Sequence, residues 1–457
     1  MSELFDVLAY AARVLLDLKP DYQKINSSSI DIESEHPEYT IDSSMNVSNI
    51  FYYIDEYKHH DKDVFLAYCL SVIDNRIGET NEIIKKFSGG CDFDIQYVFR
   101  SLNDNSNNTG IVILPRYISP WEGRRTDENH ALDINIFVRN VVICDIRAND
   151  FLNKFNIICH IINPQYMQLV TDENYNYGLV LGASPLSGKV NIFPEKTIEN
   201  SVKVINAVFD NKNDKELANA VINIIWQLDE EQCDIVVFPE LLGSPEMDNR
   251  VINELVKHSA KNIKIIVLPS YYETKNNVRL NSCSVISWDG EVLFRQPKLV
   301  RFKNDSFMEN IDEGKDIHIL YIPGIGQMAV LICRSFIENK IRGELANLKV
   351  KLLLCPSYSS GDLDFDYGAR AGAGDDCNVV WSNTCSAIGD GQEGKIVTIV
   401  TSYTRNSSDI DERVHVYRKK DYNCDANCKG NCFCAVHIKE VLIDEKESEF
   451  DEQQPCD

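Results

Sequence analysis

The sequence predicts an α/β protein in which a layered domain with a mixed sheet follows an N-terminal α+β domain. From Tyr177 onward, apolar runs of strand length alternate with amphipathic helical segments. An Asp289-Gly290 pair separates two of these runs, and such a pair is typical of a tight turn between antiparallel strands. Hydrophobic residues make up 44% of the 457 residues, which is enough apolar material for a core.

Changes in residue pattern divide the chain into three parts. Residues 1–170 mix helical and strand-like runs with polar loops and carry no motif that indicates a function, so we predict an N-terminal α+β domain there. The alternating pattern covers residues 177–445, which we predict as the second domain. Residues 446–457 are rich in acidic side chains, which predicts a solvated acidic tail.

Hydrophobic periodicity predicts helices and strands in the N-terminal domain. Leu4, Leu8 and Leu15 share one face of the first helical segment, as the apolar stripe of an amphipathic helix requires. The predicted helices cover residues 3–18, 62–74 and 79–87, and the predicted strands cover Ile111–Leu114, Ile134–Ile146 and Phe155–Ile162.

The second domain carries clearer start signals for its helices. Asp214 and Ser244 are placed to cap two of them, and Pro245 suits a first helical position. The predicted strands cover Leu179–Leu181, residues 234–238, Ile263–Leu268, Met328–Cys333 and Lys351–Cys355; a hairpin joins Asn281–Trp288 to Glu291–Phe294; and a further helix covers residues 336–347.

Charge and cysteine content limit the classes of function. The net charge of −24 repels phosphate backbones, so we do not expect nucleic-acid binding. No apolar run is long enough for a transmembrane helix, and acidic residues interrupt the N-terminal apolar segment, unlike in a signal peptide. The 15 cysteines are spread over a long chain, several inside apolar runs, which indicates reduced thiols in a cytoplasmic protein.

Cys333 is the first candidate for chemistry. It ends the apolar run Ala329-Val-Leu-Ile-Cys333 and precedes a predicted helix. A nucleophile at such a strand-to-helix turn is presented above the sheet edge, where following backbone N–H groups can stabilise an oxyanion. The alternative is a buried core thiol, since free cysteine is usually a small buried hydrophobe.

Two further residues suit acid–base and electrostatic roles. Glu240 follows a strand in Val-Val-Phe-Pro-Glu240, so it is a candidate general base whose pKa burial could raise. Lys298 follows the predicted hairpin in Phe294-Arg-Gln-Pro-Lys298 and could hold a developing oxyanion. Taken singly, each residue favours the plainer interpretation, which is an acidic residue at the start of a helix for Glu240 and a surface lysine for Lys298.

Together these segments resemble the nitrilase, or carbon–nitrogen hydrolase, superfamily, in which a glutamate, a lysine and a cysteine follow strands in this order. A second glutamate of some members resembles Glu309, in Phe307-Met-Glu309. The resemblance covers about residues 177–445. It extends to the segments Asn347–Ser357, Ala369-Arg-Ala371 and Val379–Asn383.

The resemblance implies an α-β-β-α sandwich that assembles as a homodimer or larger oligomer. It implies hydrolysis of a small amide, carbamoyl or nitrile compound, without a cofactor for catalysis. Cys333 would attack the substrate carbon, Glu240 would accept the thiol proton, and Lys298 would stabilise the tetrahedral intermediate on the way to a thioester. Glu309 would hold Lys298 or assist substrate binding.

The sequence departs from the family pattern directly after the cysteine, where Arg334 and Ser335 replace the usual aromatic and acidic residues. Arg334 could bind an anionic group of the substrate. The departure also fits a nitrilase-like binding or scaffold module without turnover, with residues 1–170 contacting a partner protein. A third interpretation is an α/β protein whose Cys333 belongs only to the core.

A cysteine-rich segment near the C-terminus is a candidate metal site. Cys424, Cys428, Cys432 and Cys434 are closely spaced, with His437 nearby, and four thiolates could hold a structural zinc ion. Their spacing differs from the usual paired C-x2-C pattern, so a cysteine-rich loop without metal is the alternative.

Overall fold

The chain is a mixed α/β protein with several sheets, which confirms the predicted α/β class. It divides into two compact units, one formed by residues 1–119, 124–166 and 321–327 and the other by the rest. The predicted domain boundary at residues 170–177 and the acidic tail lie outside the described residues. The computed structural model describes residues 2–28, 50, 52, 54–55, 62–79, 110–116, 133–145, 147, 151, 154–161, 178–188, 190–199, 202–209, 214–322, 325–374, 377–387, 396–403, 414–420 and 433–439.

In the first unit, helix α1 packs on helix α3 and on strand β1, which pairs antiparallel with β2. The amphipathic face of α1 explains this packing, because Leu8 and Leu15 are fully buried. The elements are α1 (Ser2–Asp17), α2 (Tyr22–Ser28), α3 (Lys62–Glu79), β1 (Ile111–Pro115), β2 (Val141–Asp145) and β3 (Asn156–Ile161).

One predicted strand of this unit is partly wrong. Residues Ile134–Phe137 form a 3₁₀ turn, and the strand β2 begins only at Val141. The Asp133 carboxylate accepts the N–H of Asn135 at 2.8 Å, a local hydrogen bond that favours a turn over extended backbone. The predicted helix over residues 79–87 lies outside the described residues beyond Glu79.

The described residues of the second unit form three sheets and five helices. Its strands are β4 (Gly178–Ala183), β5 (Val190–Glu199), β6 (Val202–Phe209), β7 (Ile235–Val237), β8 (Ile265–Val267), β9 (Tyr271–Lys275), β10 (Val278–Ser287), β11 (Val292–Pro297), β12 (Phe307–Glu309), β13 (Asp316–Ile322), β14 (Gly326–Val330), β15 (Val350–Ser357), β16 (Asn378–Asn383), β17 (Ile396–Tyr403), β18 (Val414–Lys420) and β19 (Cys434–Lys439). Its helices are α4 (Asp214–Glu230), α5 (Pro245–Lys257), α6 (Arg334–Ile337), α7 (Asn339–Asn347) and α8 (Leu363–Gly374).

Two of the sheets face each other. The first has the order β11-β10-β8-β7-β4-β19, with β9 paired to β10, and the second runs β18-β17-β16-β15-β14-β13. Strands β4 and β7 contact β15 and β16 across the interface. Helices α4 and α5 bury apolar side chains such as Val221 and Val251 in one core cluster with the first sheet, and α7 and α8 pack on the second. The third sheet has the order β12-β6-β5.

A helix cap and a hairpin turn that the sequence predicts are present in the structure. The Ser244 hydroxyl accepts the N–H of Met247 at 3.0 Å, so it caps α5, with Pro245 at the first position of the helix. Strands β10 and β11 form the predicted hairpin, and Gly290 in its turn has φ +85°.

Two expectations for this unit need correction, and one hairpin was not predicted. The predicted helix over residues 336–347 is two helices, α6 and α7, because the backbone is extended at Glu338. The predicted strand Met328–Cys333 ends at Val330, since Cys333 has a positive φ that cannot continue a strand. The β5–β6 hairpin had no predicted counterpart.

Candidate active site

Glu240 lies three residues beyond the end of β7, after Phe238 and Pro239, at the edge where the two facing sheets meet. Its backbone N–H donates to the Ser357 carbonyl at 3.2 Å, which ties the β7 end to the β15 end. The next residue, Leu241, has φ +65°, and its N–H donates to the Ser270 hydroxyl at 3.1 Å. The chain therefore turns sharply at Glu240 and buries the carboxylate.

Lys298 follows β11, and its backbone N–H donates to the Asn281 carbonyl at 2.7 Å. Its side chain is fully buried, and the ammonium nitrogen Nζ contacts two carboxylates. The distances are 2.8 Å to Oε1 of Glu240 and 2.7 Å to Oε2 of Glu309. A buried ammonium is stable only when it is paired in this way.

Cys333 lies at a sharp turn between β14 and α6. Its backbone has φ +46° and ψ −108°, a region that L-residues rarely adopt, so the turn is strained. Its N–H donates to the Pro356 carbonyl at 2.8 Å, and its carbonyl accepts the N–H of Phe336 at 2.9 Å. The thiol is hydrogen-bonded to the Glu240 carboxyl group, so the three predicted residues form one connected group.

The two glutamates have opposite pKa shifts. Burial raises the pKa of the Glu240 carboxyl; the Lys298 ammonium opposes this shift, and the Glu309 charge reinforces it. For Glu309, burial is outweighed by the Lys298 charge and by hydrogen bonds, so its pKa lies below the usual range. Of the two carboxyl groups, Glu240 is therefore the more readily protonated and Glu309 the one that the Lys298 charge keeps ionised.

The pKa values of Lys298 and Cys333 are also shifted by their surroundings. Burial acts to lower the pKa of Lys298, but the two carboxylates outweigh it and keep the ammonium charged. Burial raises the pKa of the Cys333 thiol, and the charge of Glu240 adds to this effect. The thiol is thus protonated at neutral pH and needs a base beside it to become a nucleophile.

The group opens into a cavity of about 610 Å³. Glu240, Lys298, Glu309 and Cys333 form its charged inner end, and most of the remaining wall is apolar. A cavity of this size holds a small organic molecule. The other lining residues are Ile192, Ile205, Ala207, Leu241, Tyr272, Phe302, Arg334, Ile337, Tyr358, Ser359, Ser360, Gly361, Asp362, Leu363, Asp364, Phe365 and Ala387.

Arg334 and Ser335, the departures from the family pattern, have different surroundings. Arg334 lines the cavity, and its guanidinium pairs with Glu338 at 2.9 Å. Ser335 is buried, and its hydroxyl accepts the N–H groups of Leu299 at 2.9 Å and Val300 at 3.2 Å. Ser335 therefore fixes the loop after Lys298 against the cysteine turn.

Sequence reasoning missed three partners of the carboxylates. Asn281 donates an amide N–H to Oε1 of Glu240 at 2.8 Å, and the Tyr358 N–H donates to Oε2 at 2.9 Å. The Tyr272 hydroxyl donates to Oε1 of Glu309 at 2.8 Å. No motif marks these residues in the sequence, because each reaches the site from a strand or strand end distant along the chain.

The predicted zinc site is outside the part of the chain that can be described. Cys424, Cys428 and Cys432 fall outside the described residues, and so does the side chain of Cys434. Within the described ranges, no group of His, Cys, Asp and Glu could hold a metal ion. Among the same residues, no helix combines the length and hydropathy that a bilayer crossing needs.

Comparison of the sequence with known protein families found no match, and comparison with curated proteins found none. Solved structures that resemble this chain include a glutamine-dependent NAD+ synthetase from Acinetobacter baumannii, with 15% identity and a TM-score of 0.38 over 60% of this chain. The match covers 49% of the synthetase, so this chain spans about half of its length.

Members of the nitrilase superfamily are also among these structural neighbours. Nit3 of Saccharomyces cerevisiae, a member of branch 10 of that superfamily, has 14% identity and a TM-score of 0.39, over 57% of this chain and 90% of its own. An amidase of that superfamily from Nesterenkonia AN1 has 15% identity and a TM-score of 0.36, over 49% of this chain and 82% of its own.

Proposed function

We propose that this protein hydrolyses a non-peptide carbon–nitrogen bond of a small amide, carbamoyl or nitrile compound, with Cys333 as the nucleophile. One observation carries the proposal: a single buried carboxylate, Glu240, binds both the Cys333 thiol and the Lys298 ammonium at the inner end of a cavity. This combination of nucleophile, base and fixed cation is what acyl transfer through a covalent intermediate requires.

The first half of the reaction forms a thioester. Glu240 accepts the thiol proton as the Cys333 sulfur attacks the carbonyl carbon of an amide. The oxygen that gains negative charge is stabilised by the Lys298 ammonium. Glu240 then gives its proton to the leaving nitrogen, the carbon–nitrogen bond breaks, and ammonia or an amine departs.

The N–H of Arg334 is a second donor to this oxygen. The N–H of Cys333 is already used by Pro356 and that of Ser335 by Ile332. Arg334 is the first residue of α6, and none of the described carbonyls accepts its N–H. A preorganised donor next to the nucleophile is the usual second component of an oxyanion site.

The second half of the reaction releases the acid. Glu240 is again a carboxylate after the amine leaves, so it can accept a proton from an attacking water molecule. Water adds to the thioester carbon, the carbon–sulfur bond breaks, and the thiol regains the proton from Glu240. The products are a carboxylic acid and the free enzyme, and no cofactor enters either half.

The layers of the second unit support a nitrilase-like α-β-β-α sandwich as the scaffold. Helices α4 and α5, the two facing sheets, and helices α7 and α8 lie in that order. Glu240 follows β7 of one facing sheet and Cys333 follows β14 of the other, and Lys298 follows the hairpin strand β11. We propose that the chain acts as a homodimer or larger assembly, as its resemblance to the nitrilase superfamily implies.

Two features favour turnover over a scaffold that lacks it. Cys333 has a positive φ, which a glycine in its place would adopt without strain. Backbone strain of this kind concentrates at functional sites. Ser335, the departure next to the nucleophile, fixes the lysine loop and leaves the connection of Cys333 to Glu240 intact.

Alkylation of Cys333 tests the proposal. Wild-type protein and Glu240→Gln are treated with iodoacetamide at neutral pH, and labelled sites are mapped by mass spectrometry. Of the nine cysteines whose side chains are described, eight are buried and Cys385 is more exposed, so Cys385 gives the reference rate for a more accessible thiol. We expect Cys333 to react faster than Cys385 despite its burial, and to slow in Glu240→Gln.

A screen of primary amides for ammonia release follows on the same preparations. Turnover by wild type that is lost in Cys333→Ala supports the hydrolase. If Cys333 reacts no faster than Cys385 and no amide releases ammonia, the hydrolase proposal fails, and the scaffold interpretation with a partner of residues 1–170 takes its place.

A further inference from the structure

We propose that the substrates are amides with an uncharged, apolar acyl group considerably larger than acetyl, which lies along a wall formed by Ile192, Ile205 and Ala207. This inference rests on the proposed function and specifies its substrate class. It is carried by the size of the cavity, by the register of the β5–β6 hairpin, and by the pairing of both cations among the described residues that line the cavity.

The size of the cavity exceeds what a small acyl group needs. At about 610 Å³ it is within the range of cavities that enclose drug-sized ligands. Glu240, Lys298, Glu309 and Cys333 occupy only its inner end, and most of the remaining wall is apolar. A two-carbon amide bound at Cys333 would leave most of the apolar wall in contact with water, which is unfavourable.

The hairpin presents a continuous apolar face to the cavity. Ile192 of β5 lies directly opposite Ala207 of β6, and Ile205 is two residues before Ala207 on the same strand. Directly opposed residues and residues two apart share one face of a sheet, so the three side chains form one surface. Asn206 alternates with them and bonds Arg279 and Asn310.

Large apolar side chains are accessible at the mouth of the cavity. Ile192 is 51% exposed, Phe302 37% and Leu363 65%, and all three line the same cavity. Large hydrophobic side chains that are exposed together, and not scattered singly, mark a surface that an apolar ligand covers. An acyl chain that extends from Cys333 toward the mouth would bury them.

The charges around the cavity disfavour a second carboxylate on the substrate. Two cations are among the described lining residues; Lys298 is held by two glutamates and Arg334 by Glu338. The exposed Asp364 adds a negative charge at the mouth. An anionic acyl group would therefore find no unpaired cation and would meet a repelling carboxylate.

A series of linear primary amides from acetamide to decanamide tests whether the acyl group is buried against the apolar wall of the cavity. We expect kcat/KM to rise about threefold to fourfold for each added methylene until the cavity is full, as burial of apolar area predicts. An amide with a terminal carboxylate is compared with the uncharged amide of equal length, and we expect it to react at least ~10-fold more slowly. A flat or falling series, or preference for the charged amide, overturns the inference.

A matched pair of substitutions locates the effect. Ala207→Phe places a large side chain in the wall, so the ratio of kcat/KM for octanamide to that for acetamide should fall by at least ~10-fold. Ala371→Phe makes the same change at an exposed site of α8 outside the lining, and it should keep the wild-type ratio. If both variants keep the wild-type ratio, the acyl group does not lie along this wall.

Calorimetric binding of octanamide to Cys333→Ala separates this inference from the proposed function. If wild type hydrolyses no amide, yet octanamide binds and Ala207→Phe abolishes that binding, the hydrolase proposal fails and the apolar site stands. If short and long amides are hydrolysed equally, the hydrolase stands and the acyl site fails. Absence of both turnover and binding overturns both.

Discussion

The side-chain amide of Asn281 bridges the two glutamates of the site, donating to Oε1 of Glu240 at 2.8 Å with Oε1 of Glu309 3.4 Å from the same nitrogen. The Oε1 atom of Glu240 therefore receives two donors, the Lys298 ammonium and this amide. A donor to an ionised carboxylate stabilises the ionised form. Asn281 thus counteracts the burial that favours a protonated Glu240.

Replacing Asn281 by Ala should impair the general base. Loss of the donor raises the pKa of Glu240 further, so the acid limb of the kcat/KM profile moves to higher pH. Loss of a hydrogen bond to a charged group should also lower kcat/KM by ~10-fold or more. Asn253→Ala, an exposed change on α5, is the matched control. An Asn281→Ala profile with the wild-type acid limb would leave Asn281 with a packing role only.

The pH dependence of the wild-type enzyme should report the pKa of Glu240. Burial raises that pKa above its ordinary value of 4.5. The base must be ionised to accept the thiol proton, so kcat/KM should fall as the pH is lowered through this raised pKa. The charge of Glu309 contributes to the shift, so Glu309→Gln should move the limb to lower pH. An acid limb at or below the pKa of a free glutamate would contradict the assignment of Glu240 as base.

Lys298→Met should destabilise the fold strongly. The change leaves two buried carboxylates without their cation, and breaking a buried pair in this way costs ~3–5 kcal/mol of unfolding free energy. Without the ammonium, burial raises the pKa of both carboxyl groups. Their protonation removes the unpaired buried charges and so restores part of the lost unfolding free energy. The difference from wild type in urea unfolding should therefore shrink as the pH is lowered.

Two further variants check this interpretation of Lys298. Lys298→Met with Glu309→Gln removes one unpaired charge and should recover part of the lost stability. Lys303→Met changes an exposed lysine and should alter the unfolding free energy by less than ~0.5 kcal/mol. A single Lys298→Met variant as stable as Lys303→Met would mean that the buried pairs do not form.

Because the turn at Cys333 is strained, we expect glycine to be the more stable replacement there, whereas alanine is usually more stable than glycine. Glycine adopts φ +46° without strain, whereas alanine does not, so Cys333→Gly should be ~1 kcal/mol more stable than Cys333→Ala. At Cys283, inside strand β10, the ordinary order applies, and the glycine variant should be the less stable of the pair. Urea unfolding of all four variants measures both differences, and the same order at both sites would argue against strain at Cys333.

Local signals made part of this structure predictable. The capping serine before Pro245 and the Asp289-Gly290 turn act over a few residues, so the sequence alone indicates α5 and the β10–β11 hairpin. The ends of short apolar runs likewise indicated Glu240 and Cys333 as candidates. Family resemblance then related them to Lys298, and the structure brings the three side chains together.

Contacts between distant segments could not be predicted in this way. Asn281 lies in a strand whose alternation resembles that of any half-buried strand, and its bond to Glu240 spans 41 residues. The β5–β6 hairpin has apolar residues such as Ile192 that face a cavity, and no short turn motif marks its position. The Arg334–Glu338 pair differs from these contacts, because its i,i+4 spacing is visible in the sequence itself.

The small sheet β12-β6-β5 joins two parts of the site mechanically, because Glu309 of β12 and Ile205 of β6 are register partners. Backbone pairing therefore connects Glu309, which binds Lys298, directly to a residue of the apolar wall. On the proposed mechanism, binding of the acyl chain along the wall can therefore help to align the Lys298 ammonium with the developing oxyanion. Shortening the acyl group should then lower kcat as well as raise KM, so that substrate length governs the chemical step itself.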